Sequence, residues 1–216
     1  MKQFTKEQAL SIVINCAHKY RENLSGCKLL FLLSDKHMKV TALEVSFEER
    51  HFLHLTGLKV NHNISASRFF DHCIDGTLSP NDFTFSEDGT TMLKLEVLMQ
   101  IMEKDLSANM VADYNGINPR LYTEKLAGNV KACIGFVWSG NIGYVPNTLL
   151  NLDIRKTSEA QRRIIVTYRK KRNDSAYSEM VYYAKKVDWA KIKYPDEYAY
   201  LPKPKQDKNI AGGMDT

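Results

Sequence analysis

Cysteines are few in this chain, and their spacing differs from that of a metal site. The 216 residues include four widely separated cysteines, with no CxxC pair and no Cys/His ligand pattern: Cys16, Cys27, Cys73 and Cys133. A structural zinc site requires clustered soft ligands. We therefore predict buried free thiols in a reducing compartment and no bound metal.

Long apolar runs are lacking as well. No apolar segment of signal-peptide length follows residues 1–5. No stretch approaches the roughly 20 apolar residues that a membrane-spanning helix requires. By elimination, the sequence predicts a cytoplasmic protein without a membrane partner.

Several familiar catalytic motifs are also missing. The sequence has no Walker loop, no GxSxG elbow and no GxGxxG turn, and we predict no cofactor. Its acidic residues do not form the multi-carboxylate pattern of a two-metal nuclease, which weakens that interpretation.

The composition that remains is typical of a globular protein. Hydrophobic residues make up 44% of the chain and charged residues 25%, with a net charge of +5. A mildly basic balance suits an anionic partner such as nucleic acid, although many proteins share it. We predict one domain over residues 1–189 and a basic tail with Pro and Tyr over 190–216, partly mobile.

Hydrophobic periodicity predicts an α+β fold. A capping box at Thr5 and Gln8 begins a helix that should end near Asn23 to Gly26. Further helices are predicted over 65–74 and 91–106, and early strands over 28–33, 39–46 and 50–56. Four more strands are predicted over 131–138, 144–154, 163–170 and 177–187. Because short polar segments connect these four, we predict a C-terminal four-stranded antiparallel β-meander with helices packed on it.

Three residues in the N-terminal half could carry chemistry. If residues 50–56 form a strand, His54 and Thr56 lie on one face, and Leu53 and Leu55 lie on the other. Gly57 would permit a sharp turn after the strand. Histidine can act as acid or base near neutral pH. Lys94 shares an apolar helical stripe, where it either extends to water or points into a site that needs a cation.

The C-terminal half supplies cations and amides. Strand alternation places Asn147 and Arg155 on one face of their segment and Thr148 on the other, and Arg163 lies on the next predicted strand. Such a face could bind phosphates or simply face water. A run of aromatic and basic residues suits contacts with single-stranded RNA, or else protects a hairpin end from aggregation: Tyr168, Arg169, Lys170, Lys171 and Arg172.

These short runs together resemble the phage-associated branch of the barnase–EndoU–colicin–RelE-like nuclease superfamily. The similarity spans roughly residues 28–189. The runs that carry it, besides the closing hairpin, are His-Leu-Thr-Gly at 54–57, Lys-Leu-Ala-Gly-Asn at 125–129, Ile-Gly-Phe at 134–136 and Tyr-Val-Pro-Asn-Thr-Leu-Leu at 144–150.

The resemblance implies a nuclease-like α+β fold and a metal-independent ribonuclease of phage or mobile-element origin, acting as a toxin. The 2′-hydroxyl of the RNA would attack its own phosphodiester. An immunity protein or host protein would be a further partner. The implied roles are acid or base for His54, phosphate binding for Lys94 or Lys125 with Arg155 or Arg163, and orientation of the scissile group for Thr56, Asn147 or Thr148.

Two other interpretations stay open at this point. A histidine followed two positions later by a hydroxyl residue also resembles the cofactor-binding start of ADP-ribosyltransferases. The required Tyr and Glu would then be Tyr122 with Glu124, or Tyr177 with Glu179. Alternatively, the chain is a phage-encoded module that binds RNA or a host protein without catalysis.

Overall fold

The computed structural model describes residues 2–117 and 119–205. This part of the chain contains four α-helices: α1 (Lys6–Asn23), α2 (Phe52–Thr56), α3 (Ala66–Ile74) and α4 (Thr90–Ile101). It also contains ten strands: β1 (Cys27–Ser34), β2 (Val40–Ser46), β3 (Lys59–Val60), β4 (Phe83–Thr84), β5 (Met110–Tyr114), β6 (Lys125–Gly128), β7 (Cys133–Trp138), β8 (Tyr144–Leu150), β9 (Ser158–Lys171) and β10 (Glu179–Tyr183). None of these helices is long and apolar enough to cross a membrane.

The main sheet closes on itself. Its order is β1-β2-β8-β7-β6-β5-β9-β10, and β9 also pairs with β1, so seven strands form a closed barrel with β10 added to β9. Neighbouring strands are antiparallel, except that β2 and β8 meet in parallel at Val45 and Tyr144. Strands β3 and β4 form a separate small ribbon.

The predicted C-terminal meander is therefore wrong in its connectivity. All four predicted segments do contain strands, β7 to β10, but β8 pairs with β7 and β2 rather than with β9. The 14-residue β9 instead pairs with β1 along one edge and with β5 and then β10 along the other. These partners come from distant parts of the chain, so the length of the local connections does not reveal them.

Strand β1 is buried on both faces because two hydrophobic clusters meet across it. Leu29 and Phe31 belong to the larger cluster, which includes the buried faces of all four helices. Leu30 and Leu32 belong to a second cluster, which includes Tyr168 of β9. A strand covered on both sides has a continuous apolar sequence rather than an alternating one, as 29–33 does.

The C-terminal segment covers this second cluster. Ile192, Tyr194 and Leu201 are buried there, although they lie in the region predicted as a tail. The hydroxyl groups of Tyr168 and Tyr194 are 3.1 Å apart and hydrogen-bonded. The tail between 190 and 205 therefore contributes to the packed structure, and its end, 206–216, lies outside the described residues.

Helix boundaries follow local chemistry. The predicted capping box is confirmed: the Thr5 hydroxyl accepts from the Gln8 N–H, and the Gln8 side chain accepts from the Thr5 N–H. Helix α4 ends at Ile101, five positions before the predicted end at Leu106. Leu106 has a φ of 58°, a left-handed backbone conformation that an α-helix does not continue through.

Candidate functional site

The run at 52–57 is a short helix, α2, and the predicted strand at 50–56 is wrong. Phe52 and Leu55, three residues apart, are both buried, and the Phe52 ring packs 5.2 Å from that of Tyr20. Gly57 ends the helix with a φ of 70°. A short apolar run does not distinguish strand from buried helix by periodicity alone, which explains the error.

The change from strand to helix separates His54 from Thr56. The His54 side chain is exposed, whereas Thr56 is fully buried. The Thr56 hydroxyl donates to the Leu53 carbonyl and accepts from the Leu58 N–H, at 2.8 and 3.1 Å. Thr56 therefore fixes the turn after α2 and does not share a face with His54.

Lys94 lies against the C-terminal end of α2. Its Nζ donates a hydrogen bond of 2.7 Å to the His54 carbonyl oxygen, one of the terminal helix carbonyls that lack an intrahelical partner. Burial lowers the pKa of Lys94 from 10.5 to about 8, although the Asp88 carboxylate acts in the opposite direction. A Cβ at Gly57 would lie 2.9 Å from the Lys94 Cδ, so any other residue there would displace the Lys94 side chain.

A second contact joins α4 to α2. The fully buried Thr91 donates its hydroxyl proton to the Gly57 carbonyl at 2.6 Å and accepts from the Ser86 N–H at 2.9 Å. Hydrogen bonds from Thr90, and then from Ser86, lower the pKa of Asp88 to about 2. The entrance of α4 therefore holds an ionised carboxylate beside Lys94.

A β-bulge in β8 forms the opposite wall. Phe136 of β7 pairs with Pro146 and Gly135 pairs with Thr148, which leaves Asn147 as the extra residue. Successive strand residues normally point to opposite faces, but a bulge redirects a side chain. As a result, Asn147 and Thr148 line the same cleft, contrary to the predicted alternation.

Hydrogen bonds hold the Asn147 side chain in place. Its Oδ1 accepts from the Thr123 hydroxyl at 3.0 Å, and its Nδ2 donates to the Tyr122 carbonyl. Gly135 makes room for this group, since a Cβ there would lie 2.5 Å from the Thr123 Oγ1 and 2.7 Å from the Thr148 Cγ2. The wall thus depends on the absence of a side chain at Gly135.

Together these elements enclose a cleft of about 730 Å³. Its lining brings together four of the predicted site residues: His54, Lys94, Asn147 and Thr148. Three lining residues were not predicted, Ser86, Asp88 and Thr90, before and within the first turn of α4, and Tyr122 was named only for the ADP-ribosyltransferase alternative. Polar residues just before an apolar helix are a recognisable N-terminal signal, which could have pointed to the first three.

The electrostatic setting of the cleft favours a neutral imidazole. Desolvation, and then the Lys94 ammonium, lower the pKa of His54 below its ordinary 6.5. His51, one turn earlier, is buried, and its Nδ1 accepts from the Glu48 N–H at 3.1 Å. Burial lowers the pKa of His51 to about 4. Of the two, His54 alone faces the cleft.

The other predicted cations do not line this cleft. Lys125 pairs with Asp113, and Arg155 pairs with Asp153. Arg163 donates to the Lys185 carbonyl at 2.9 Å. Lys125, Arg155 and Arg163 therefore lie outside the cleft lining, each with a partner of its own.

The predicted RNA-binding run mostly makes intramolecular contacts. Tyr168 is buried, so its ring is not available to stack on a base. Arg169 is buried and donates to the Glu179 carboxylate and to the Glu22 carbonyl. The Nζ of Lys170 lies 4.9 Å from the centre of the Tyr177 ring, and Arg172 pairs with Glu48. Lys171 is exposed.

Of the two Tyr and Glu pairs considered for an ADP-ribosyltransferase, only one has a residue that lines the cleft. Tyr122 lines the cleft, and Glu124 accepts from the Trp138 N–H at 3.2 Å. Tyr177 is buried and donates to Glu44, while Glu179 pairs with Arg169. Neither glutamate is among the residues that line the cleft with His54.

Comparison with known protein families identifies the chain. The family model for phage-Barnase-EndoU-ColicinE5/D-RelE like nuclease4 matches residues 12–186. The chain belongs to this family. The resemblance predicted from the short runs is thereby confirmed, and the chain is a nuclease domain of phage type. No curated protein and no solved structure matches it.

The matched range contains the whole cleft. It begins within α1 and ends after β10, so it includes α2, α4 and the bulged β8. Within residues 2–117 and 119–205, no three His, Cys, Asp or Glu side chains are grouped as ligands for a metal ion.

Proposed function

We propose that this family member is an endoribonuclease that cleaves RNA by attack of the 2′-hydroxyl on the adjacent phosphate. The observation that carries the proposal is the convergence of His54 and Lys94, 40 residues apart in sequence, on one cleft whose other wall carries Asn147 and Thr148. A titratable pair with perturbed pKa values in a concave site is what acid–base catalysis requires.

In this proposal His54 is the general base. Its lowered pKa keeps the imidazole neutral at pH 7 and able to accept a proton. The proton of the 2′-hydroxyl moves to the imidazole as the 2′-oxygen bonds to phosphorus. The bond from phosphorus to the 5′-oxygen then breaks and leaves a 2′,3′-cyclic phosphate.

Lys94 is the cation and the acid in the same step. With a pKa of about 8 it is mostly protonated at pH 7, and it can neutralise charge on the phosphate and protonate the leaving 5′-oxygen. Because Lys94 is buried in the cleft wall, its charge lies in surroundings of low dielectric, where electrostatic stabilisation is stronger than in water.

Asn147 and Thr148 orient the scissile group. The amide of Asn147 is fixed by Thr123 and Tyr122, so it offers a rigid wall rather than a mobile side chain. Pre-ordered groups reduce the entropy that is lost when the substrate is positioned. The base, the acid and the cation are thus all side chains of the chain itself, which is the reason to propose cleavage without a metal.

The direct test is cleavage of a fluorescent oligoribonucleotide in excess chelator. We expect products with 2′,3′-cyclic phosphate ends, identified by mass spectrometry. The matched control is the same oligonucleotide with a single 2′-deoxy nucleotide at the cleaved position, because it lacks the attacking hydroxyl. Cleavage of the control at an equal rate would rule out this mechanism.

The pH dependence of cleavage provides a second prediction. The rate should rise with pH as His54 loses its proton, with a midpoint below 6.5, and fall as Lys94 loses its proton near pH 8. Initial rates between pH 4.5 and pH 10 would measure both limbs. In the K94R variant the rate should be much lower, because arginine can neutralise the phosphate but does not give up a proton to the leaving oxygen. The alkaline limb of the remaining activity should disappear, because arginine stays protonated. A wild-type rate that still increases above pH 9 would exclude Lys94 as the acid.

A further inference from the structure

Two exposed aromatic side chains lie close together in the fold, and one of them, Tyr122, lines the cleft. Tyr122 is 82% exposed and Trp138 is 58% exposed, which is unusual for side chains of this size. Together with Tyr144, against which Trp138 packs, we call these residues the aromatic rim. Exposed apolar groups that lie together mark an interaction surface more often than isolated ones do.

The Trp138 ring is held in a fixed position. Trp138 and Tyr144 face each other across β7 and β8, with ring centres 5.3 Å apart and planes at 78°. Tyr144 is half-buried and packs on the larger hydrophobic cluster, so the exposed indole contacts a ring that is itself held in place. The main-chain N–H of Trp138 also donates to the Glu124 carboxylate. Ordered exposed rings make good binding platforms because little entropy is lost on contact.

Tyr122 connects the aromatic rim to the cleft. It lines the cleft, and its carbonyl accepts the hydrogen bond that fixes Asn147. Two residues after it, the Glu124 carboxylate accepts from the Trp138 N–H. Tyr144 precedes Asn147 by three residues on β8, a distance of about 10 Å along a strand. A nucleotide chain with its phosphate in the cleft would therefore bring neighbouring bases to the rim.

The charges around the rim favour stacking over phosphate binding. Glu124 contributes a negative charge next to Trp138, and the nearby Lys125 is paired with Asp113. Aromatic rings bind nucleic acid through the faces of unpaired bases, whereas the bases of a duplex are already stacked on one another. Such a surface discriminates between single-stranded and double-stranded RNA.

We propose that the aromatic rim stacks with unpaired bases next to the scissile phosphate, so that the substrate is single-stranded RNA. This inference rests on the proposed ribonuclease function and names its substrate class. The alternatives, a protein partner or a second copy of the chain on the same rings, make different predictions in the experiment below.

Binding is measured first, in the H54A background that blocks cleavage. An oligoribonucleotide of about ten residues should quench the fluorescence of the exposed Trp138, while the buried Trp189 contributes a constant background. W138A should weaken binding about 10-fold by fluorescence anisotropy of labelled RNA. W138F retains a ring and should bind nearly as the parent does. The same sequence annealed as a duplex should bind more weakly and be insensitive to W138A.

Two results would overturn the inference: unchanged RNA affinity in W138A, or equal affinity for duplex and single strand. Unchanged RNA affinity together with an altered oligomeric state in W138A would assign the rim to a second copy of the chain. Cleavage is measured separately, with wild type and with W138A, both of which retain His54. If W138A and wild type cleave this oligoribonucleotide with the same KM, the rim has no role, although the ribonuclease proposal stands. If wild type cleaves no RNA, the proposed function fails, and the binding data still decide whether the rim stacks with unpaired bases.

Discussion

Replacing His54 by alanine should lower the rate of RNA cleavage by about 10²- to 10⁴-fold, the usual contribution of a general base. The fold should be preserved, because the exposed imidazole adds little to the core. Lys94 should also stay in place, since it is held by the main-chain carbonyl of residue 54, which alanine retains. The loss of activity should therefore appear in kcat, with thermal stability nearly unchanged.

The matched control is H62A. His62 is also exposed, but it does not line the cleft, so its replacement should leave cleavage unaffected. Single-turnover cleavage of a labelled oligonucleotide and a thermal melt of each variant make the comparison. Equal cleavage by H54A and wild type would remove His54 from the mechanism, whatever happened to the melting temperature.

Replacing Lys94 by methionine should abolish most cleavage and, at the same time, stabilise the protein. The folded-state pKa of about 8 lies below the ordinary 10.5. At pH 7 the lysine is charged in both states, and burial of that charge costs about 3 kcal/mol. Methionine has a similar shape without the charge, but it loses the hydrogen bond to the His54 carbonyl, worth about 1 kcal/mol. We expect a net gain of about 2 kcal/mol in the free energy of unfolding.

The sign of this effect can be checked with pH. Because the unfolded chain binds more protons at this site between pH 8 and 10.5, wild-type stability should rise relative to K94M over that range. Urea unfolding at pH 7 and pH 10 measures both differences. K36M, which removes an exposed lysine, should change neither. If K94M were less stable than wild type at pH 7, burial of the Lys94 charge would not carry the predicted cost in folding free energy.

The sequence predicts local structure well where a single signal dominates. The capping box at Thr5 and the apolar run of β1 both appear as expected. The closure of the barrel was not predictable in this way, because the pairing of β9 with β1 and β5 depends on contacts between distant segments. The strands β5 and β6, which complete the barrel, are short and were not predicted as strands.

Some of the predicted site residues line the cleft, but they reach it differently from the way the sequence suggested. His54 reaches the cleft from a helix and not from a strand, and Asn147 reaches it through a bulge that alternation cannot reveal. The assignment of Arg155 to the site could have been questioned from sequence, because Asp153, its ion-pair partner, lies only two residues away. Lys125 offered no such signal, since its partner Asp113 lies on another strand.

The closure of the barrel also affects how the protein folds. Phe31 pairs with Thr167, so the pairing of β1 with β9, which closes the barrel, joins segments that are far apart in the sequence. Such long-range pairing slows folding, because chain entropy is lost before many contacts form. During synthesis on the ribosome, β1 and β5 stay without this partner until β9 has emerged. The edges of both strands are open to pairing with other chains during that interval, so a chain truncated before residue 158 should aggregate rather than fold into a smaller domain.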